Sequence, residues 1–226
     1  SMFDKLGRKW AKDCHHISYG MVNLTSGKMK SREGTVVDAD DIITQVKDIA
    51  LVEIKKRYSD LDEKEIEKRA LAIALSAIKF YLLKNAAKKE ITFDPVESLS
   101  FEGETGPYLQ YSFARAKSIL RKANEEGKKY KRENFDLLTH DKEKELVIEL
   151  GKFSSAVEKS FEQFSLHSIA HNLLGIAEKF NSFYHEVPVL KSDSKELLNA
   201  RLSLVEATTI VIAKGLEILD IVAIEK

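Results

Sequence analysis

The chain has 226 residues, of which 43% are hydrophobic, so it is long enough to bury a sizeable core. Its 3 Pro and 10 Gly exclude disordered, collagen-like and loop-rich proteins. Lys and Arg (36) balance Asp and Glu (36), so only a local patch could indicate a nucleic-acid partner. The single cysteine, Cys14, excludes an internal disulfide and favours the cytoplasm. No apolar segment approaches the roughly 18 residues of a membrane-spanning helix, so we expect no membrane partner.

Before Asp38 the chain is punctuated by glycines, and short apolar stretches such as 17–22 predict strands and loops. After Asp38 the apolar residues take up helical spacing, and Asp38 or Asp40 is suited to cap the first helix. A second helix is predicted over 62–83 and is expected to be deeply buried in its later part. Residues 91–101 predict a connector with one short extended piece.

Four amphipathic helical patterns follow Gly106. Pro107 suits the first turn of the first helix, because its missing N–H would have no partner there. The other three cover about 146–164, 166–183 and 198–219, and Asp193 and Glu196 are placed to cap the last one. Four apolar stripes can bury one another as an antiparallel bundle, so the predicted fold is mainly α.

The helix that begins near Pro107 carries a candidate binding surface. Its apolar stripe consists of Leu109, Phe113, Ala116 and Leu120. At about 100° per residue, Tyr108, Tyr111 and Arg115 share a face that points away from this stripe. Two aromatic rings and a guanidinium can stack on unpaired bases and hydrogen-bond to their edges. The alternative, left open by this helix alone, is that the tyrosines pack against a neighbouring helix.

A local excess of positive charge begins on the same helix. Residues 115–132 contain eight Lys and Arg residues, opposed within the span by Glu125 and Glu126. Such a span can follow a phosphate backbone, and Lys128 and Lys131 are its candidate RNA contacts. Taken by itself, a solvated turn explains the same composition.

A basic segment bracketed by glycines, GKMKSREG, occupies residues 27–34. Glycines let the backbone approach a phosphate and lysines neutralise its charge, although the spacing is not that of a Walker loop. From composition alone, a solvated loop is the simpler interpretation. His167 and His171 are spaced four residues apart, but no glutamate lies between them and no third ligand is evident. We therefore predict no metal site.

Several segments, taken in order, resemble the C-terminal half of arginyl-tRNA synthetases, which are class I aminoacyl-tRNA synthetases. The sequences HISYGMV at 16–22 and GKMKSREGTVV at 27–37 are similar to the degenerate KMSKS region of that family. The sequence FEGETGPYLQYSFAR at 101–115 resembles the entry to its anticodon-binding domain. The sequences FNSFY at 180–184 and NARL at 199–202 follow in the expected order.

The resemblance implies two units: residues 1–99 as the remnant of a Rossmann-type α/β catalytic core, and residues 100–226 as a helical anticodon-binding domain. It implies that Lys28 and Met29 belong to a loop that closes over ATP and stabilises the transition state of adenylate formation. Lys28, Lys30 and Ser31 are then the expected ATP contacts. Lys30 and Ser31 depart from the general motif, in which the third and fourth positions are serine and lysine.

The resemblance also assigns contacts with the anticodon loop of tRNA, to Tyr108, Gln110, Tyr111 and Arg115. Asn172 stands where the family commonly has a tyrosine, so a hydrogen bond is expected there in place of a stack.

In the intact enzyme these residues would serve a cytoplasmic, monomeric ligase that joins arginine to its tRNA with ATP and Mg²⁺. No HIGH-type motif is found around residues 14–17. We therefore expect this chain to be inactive alone and to bind neither cofactor. Two alternatives remain: a helical protein–protein scaffold, and the equivalent module of a cysteinyl- or glycyl-type synthetase. The sequence of 105–115 argues against the second.

Overall fold

A computed structural model describes residues 2–25, 38–57 and 61–225 of the chain. The elements in chain order are α1 (Met2–Lys5), a 3₁₀ turn (Lys9–Asp13), β1 (Val22–Leu24), α2 (Ala39–Arg57), α3 (Glu63–Leu83), β2 (Ile91–Phe93), α4 (Pro95–Ser98), α5 (Gly106–Glu125), a second 3₁₀ turn (Phe135–Leu137), α6 (Asp141–Gly151), α7 (Phe153–Gln163), α8 (His167–Glu186) and α9 (Lys195–Ile218). Within these described ranges, no helix has both the length and the apolar character needed to cross a membrane.

The first part of the chain is a small α/β unit. Strands β1 and β2 pair in parallel, with Val22 opposite Ile91 and Leu24 opposite Phe93. Parallel strands require a crossover connection, and α2 and α3 lie between them in the chain. The strand is shorter than the apolar stretch 17–22 suggests, because pairing begins only at Val22. The predicted short α/β part is confirmed.

Helices α2 and α3 pack against each other and against the strand pair. Asp62 caps α3, where a side-chain oxygen accepts a hydrogen bond from the Glu65 amide at 2.9 Å. The expected deep burial of the later part of α3 holds for one face only, because Ala70, Ala74, Ala77 and Phe80 are buried whereas Leu71 and Leu82 are exposed. The core of this unit is built from Leu24, Val46, Ala50, Ile54, Ile66, Ala70, Ala74, Ala77, Phe93 and Leu99.

A helical bundle of α5 to α9 forms the second part of the chain, and the predicted mainly α fold is confirmed. Thr105 caps α5 by accepting a hydrogen bond from the Tyr108 amide, and Pro107 lies in the first turn as expected. Helix α5 packs on α8 and α9, and α8 packs on α6 and α7. The largest fully buried side chains of this core include Phe180, Phe183, Leu109, Leu146, Leu173, Ile176, Leu202 and Ile212.

The predicted single helix over about 146–164 is wrong: it is two helices, α6 and α7, separated at Lys152. Helix α7 ends at Gln163 and is followed by Phe164, whose backbone is left-handed (φ 48°). The apolar stripe continues from Leu146 and Leu150 of α6 to Phe153 and Val157 of α7, which pack against the bundle core, but it does not reach Phe161, which is 80% exposed.

The cap of α9 also differs from the expectation. Ser194, rather than Asp193, accepts a hydrogen bond from the Leu197 amide at 3.1 Å. Its short hydroxyl reaches this amide from the extended backbone at the cap position. Glu196 lies in the first turn, where a negative charge is favourable.

Candidate nucleic-acid interface

Arg115 is the centre of a polar and aromatic cluster on one side of the bundle. Its guanidinium carbon lies 4.5 Å from the ring centroid of Tyr111, one helical turn earlier on α5. The same carbon lies 4.8 Å from the ring centroid of Tyr184, on α8. Arg115 also donates a hydrogen bond from Nη2 to the Tyr111 hydroxyl at 2.7 Å. Two rings from different helices thus hold one guanidinium between them.

Asn181 of α8 connects this guanidinium to the rest of α5. Its Oδ1 accepts a hydrogen bond from Arg115 Nη1 at 2.5 Å. Its Nδ2 donates to the Tyr108 hydroxyl at 3.0 Å and to Ser112 Oγ at 2.9 Å. Because Asn181 engages three side chains on α5, it fixes the orientation of Arg115 relative to both helices.

The three residues predicted to share a face of α5 therefore lie together, although not all of them point into solvent. Tyr111 is 44% exposed, whereas Tyr108 and Arg115 are half-buried. The expectation that Tyr108 points well away from the core is wrong, because its ring packs partly against the core of the bundle. α8 lies beside this face of α5.

An open groove of about 700 Å³ begins at this cluster. Tyr111 and Tyr184 line one part of it, and the segment 187–190 contributes an apolar wall. Its charged or titratable lining residues are Arg115, Arg121, Lys122, His185, Lys191 and Glu225. Glu225 lies 2.9 Å from the Lys117 ammonium, measured between Oε1 and Nζ. The groove is therefore concave and positively charged, with aromatic rings at one edge.

Two residues predicted to contact tRNA lie inside the fold. Gln110 is 3% exposed, and its Nε2 donates to the Val222 carbonyl at 2.7 Å. Asn172 is 8% exposed, and its Nδ2 donates to the Glu149 carbonyl at 3.3 Å and to Glu149 Oε1 at 3.2 Å. Asn172 precedes Asn181 by nine residues on α8, which corresponds to about 13 Å along a helix axis. Neither residue lines the groove.

The two candidate phosphate contacts differ in their surroundings. The Lys128 ammonium donates to the Leu190 carbonyl at 2.8 Å and pairs with Glu126 at 2.6 Å. The hydrogen bond from Lys128 lowers the pKa of Glu126, opposed by slight desolvation. Lys131 is exposed. The four residues assigned to the ATP loop, Lys28, Met29, Lys30 and Ser31, lie outside the described residues.

Two members of the cluster, Asn181 and Tyr184, were not singled out as site residues from the sequence. Both lie within the FNSFY segment, which carried part of the family resemblance. Their spacing of three residues places them on one face of α8. This spacing is the feature of the sequence that could have identified them as site residues. Which face of α5 they meet depends on a contact across more than 60 residues of chain, which local spacing does not give.

The histidine pair of α8 shows no metal-binding geometry. The ring centroids of His167 and His171 are 6.3 Å apart, and His167 Nδ1 is hydrogen-bonded to Ser165 Oγ at 2.8 Å. In the part of the chain that the structure describes, no group of three or more potential ligands is arranged to hold a metal ion.

Comparison with protein families matches two consecutive parts of the chain. Residues 109–226 match the model of the DALR anticodon binding domain. Residues 4–94 match the model of the catalytic domain of tRNA synthetases class I (R).

Comparison with individual proteins gives a consistent result. The chain is 40% identical over 223 residues to an arginine–tRNA ligase of Borrelia duttonii (strain Ly) and 43% identical over 221 residues to one of Treponema denticola. These alignments cover 99% and 95% of the chain but 38% and 37% of the relatives, so the chain spans well under half of their length.

A solved structure, that of Thermus thermophilus arginyl-tRNA synthetase, superposes with a TM-score of 0.86 at 33% identity. The superposition covers 96% of this chain and 36% of that one. The chain shares its arrangement of helices and strands with an arginyl-tRNA synthetase. Because the anticodon-binding model matches more than half of the residues, the chain belongs to the DALR anticodon-binding domain family.

Proposed function

We propose that the groove beside Arg115 binds unpaired bases of a tRNA anticodon loop. The observation that carries this proposal is the guanidinium of Arg115 held between Tyr111 and Tyr184 at the edge of a positively charged groove. Exposed aromatic rings provide stacking surfaces for bases, and the surrounding lysines and arginines favour the phosphates that join them.

Arg115 is the residue best placed to distinguish one base from another. A guanidinium carries five N–H groups, and its bonds to Asn181 and Tyr111 use one on each Nη atom. The remaining N–H groups are suited to acceptors on a base edge, while the planar group itself can stack. Asn181 acts as a positioning residue, because it holds the guanidinium in place before RNA arrives.

The groove would serve a larger enzyme. We propose that the chain works as part of a ligase that joins arginine to its tRNA with ATP and Mg²⁺, divided into a catalytic part over 1–99 and an anticodon-binding part over 100–226. Lys28, Met29, Lys30 and Ser31 would contact ATP. The similarity of residues 27–37 to the KMSKS region supports this assignment. A cytoplasmic monomer is the expected form.

The test of anticodon recognition is a binding titration with arginine-accepting tRNA and with a tRNA of different anticodon. Tyr111→Ala should cost about 1–3 kcal/mol in binding the first, the range for one base–aromatic stack. Arg115→Ala should cost a comparable amount and reduce the discrimination between the two tRNAs. Lys131→Ala should instead weaken binding of both tRNAs equally and reduce the salt dependence.

Melting curves and a matched aromatic control complete the experiment. Phe161→Ala removes an exposed ring on α7, outside the groove, and should leave tRNA binding unchanged. If Tyr111→Ala unfolds the protein, the tyrosine is a packing residue. If Tyr111→Ala melts normally and binds both tRNAs as before, the groove does not recognise the anticodon, and a protein–protein scaffold becomes the better explanation.

A further inference from the structure

His185 lies in the last turn of α8, and its exposed side chain lines the groove that begins at Arg115. Its imidazole ring lies 5.6 Å from the ring of Tyr184, measured between centroids, with the two planes at 69°. Tyr184 in turn packs against the guanidinium of Arg115. His185 therefore lies next to the aromatic surface on which a base is proposed to stack.

The surroundings of His185 are mainly positive. The other ionisable residues that line the groove are Tyr111, Arg115, Arg121 and Lys122 of α5, Tyr184 of α8, Lys191 after α8 and Glu225 after α9. The two nearby carboxylates have other cations beside them. Glu225 pairs with Lys117 at 2.9 Å, and Glu186, the next residue on α8, interacts with Lys142 of α6. Within the described part of the chain, the imidazole of His185 forms neither a hydrogen bond nor an ion pair.

A histidine differs from the other cationic residues of the groove in its response to pH. Histidines change their charge between about pH 5 and 8, whereas lysines and arginines stay positive over this range. The protonated ring donates from both nitrogens, and the neutral ring donates from one. A phosphate oxygen accepts charge-assisted hydrogen bonds, which are roughly twice as strong as neutral ones. A phosphate bound beside a histidine therefore favours the protonated ring.

We propose that His185 contacts a phosphate of the bound RNA and that its imidazole takes up one proton from solvent when the RNA binds. This inference rests on the proposed binding of unpaired bases in the groove. A base stacked on Tyr184 carries its phosphate into the neighbourhood of His185, where the negative charge stabilises the imidazolium. Because binding consumes a proton, the affinity for RNA rises as the pH falls. The groove is thus a pH-dependent RNA site.

The test is a titration of the 226-residue chain with arginine-accepting tRNA at about pH 5.5 and at about pH 8. The affinity of the wild type should be about fivefold higher at the lower pH, the effect of one typical hydrogen bond. The slope of log affinity against log salt concentration should become steeper by about 0.7, the value for one further phosphate contact with a single strand. His185→Gln should lose both changes because glutamine stays neutral, whereas His185→Lys should bind tightly at both pH values.

Two further variants separate this inference from the proposed function. His171→Gln removes an exposed histidine of the same helix that does not line the groove, so it should keep the wild-type response to pH. Arg115→Ala should weaken binding at both pH values, which shows that the RNA occupies the groove.

Three results would overturn the role of His185 while leaving the groove as an RNA site. They are a wild-type affinity that does not change with pH, a His185→Gln variant that keeps the wild-type response, and a His185→Gln variant that is weakened equally at both pH values, as loss of a stacking contact would cause. If the wild type binds no tRNA at either pH, or if Arg115→Ala leaves binding unchanged, the proposed function itself is contradicted, and this inference with it.

Discussion

A buried ion pair connects α6 to α9. Arg201 donates from Nε to Glu143 Oε1 at 2.7 Å, and the two side chains are 11% and 1% exposed. Glu143 also accepts a hydrogen bond from the His140 amide at 2.9 Å, which closes the capping box of α6. The same carboxylate therefore holds the start of one helix and the guanidinium of another.

Replacing Glu143 with alanine should be strongly destabilising. The change leaves the Arg201 guanidinium buried without its carboxylate, which typically costs about 3–5 kcal/mol. The free energy of unfolding, measured by urea titration, should fall by about this amount.

Glu217→Ala is the control for this experiment, because Glu217 pairs with Lys214 on the surface, where both side chains are largely exposed. Its loss should change the free energy of unfolding by less than about 1 kcal/mol. Equal effects of the two substitutions would show that the buried pair contributes no more than a surface pair.

The sequence was enough to predict side-chain contacts within one helix. It did not predict contacts between side chains on two different helices. Tyr111 and Arg115 are four residues apart, so helical geometry alone places them together. The contact between Arg115 and Asn181 joins residues 66 positions apart. Gln110 likewise bonds Val222, which lies 112 positions further along the chain, after the last helix of the bundle.

At the scale of elements, a close approach between α3 and α5 holds the α/β unit against the bundle. Gly106 begins α5 and faces Ser76 of α3 so closely that an added Cβ would overlap the Ser76 backbone and hydroxyl. Both residues are buried. A glycine is required here for lack of space rather than for its backbone conformation.

Gly106→Ala should therefore destabilise the protein by about 1–3 kcal/mol, the usual effect of overpacking. Thermal melting of the full chain measures it. Gly151→Ala is the matched control, because it lies at the end of α6 with nothing within 4 Å of an added Cβ. Since alanine favours a helix by up to about 1 kcal/mol, this variant should be as stable as the wild type or more so. A neutral Gly106→Ala would mean that α3 and α5 can separate freely.

A second contact between elements, the ion pair of Arg132 and Glu206, depends on pH. Arg132, in the connection between α5 and α6, donates to both carboxylate oxygens of Glu206 on α9 at 2.8 and 2.7 Å. These hydrogen bonds lower the pKa of Glu206 below its ordinary value of 4.5, and burial opposes them. A lowered pKa in the folded state stabilises the protein above the unfolded value, and this stabilisation is lost as pH falls through the folded value.

Arg132→Met should consequently lower the free energy of unfolding only slightly at pH 7, because the arginine is largely exposed and solvent screens the ion pair. The difference from wild type should shrink as the pH falls below 4.5 and disappear once Glu206 is protonated in both states. Urea titrations at a series of pH values measure it. A difference that persists unchanged in acid would show that packing of the arginine stem, and not the ion pair, is responsible.

At the scale of the whole molecule, the segment after α9 ties the two units together. Lys79 of α3 donates to both the carbonyl and the carboxylate of Asp220 at 2.6 Å. Gln110 donates a hydrogen bond to the Val222 carbonyl, and Lys117 of α5 forms an ion pair with Glu225. One short segment thus contacts α3 of the α/β unit and α5 of the bundle.

The periodicity of apolar residues was enough to predict the fold class, because buried stripes repeat within each helix. It did not predict that one stripe is divided between two helices. The turn at Lys152 separates α6 from α7, although Leu146 and Phe153 on either side of it both pack against the bundle core. Helix boundaries of this kind depend on packing against α8, which local spacing does not contain.

RNA binding and catalysis by this chain can be measured separately. The chain covers 38% of one relative and 36% of the solved synthetase chain, so most of the residues that such enzymes carry are outside it. We expect the chain to bind arginine-accepting tRNA, more tightly at 50 mM than at 200 mM salt because phosphate contacts release counterions. We expect no arginine-dependent exchange of pyrophosphate into ATP at a rate near 1 s⁻¹, the lower end of ordinary turnover. Both are measured on one preparation, with Arg115→Ala as the variant that should lose tRNA affinity only. Exchange at an enzyme-like rate would show that the chain holds a complete activating site, whereas failure to bind tRNA would contradict the proposed groove.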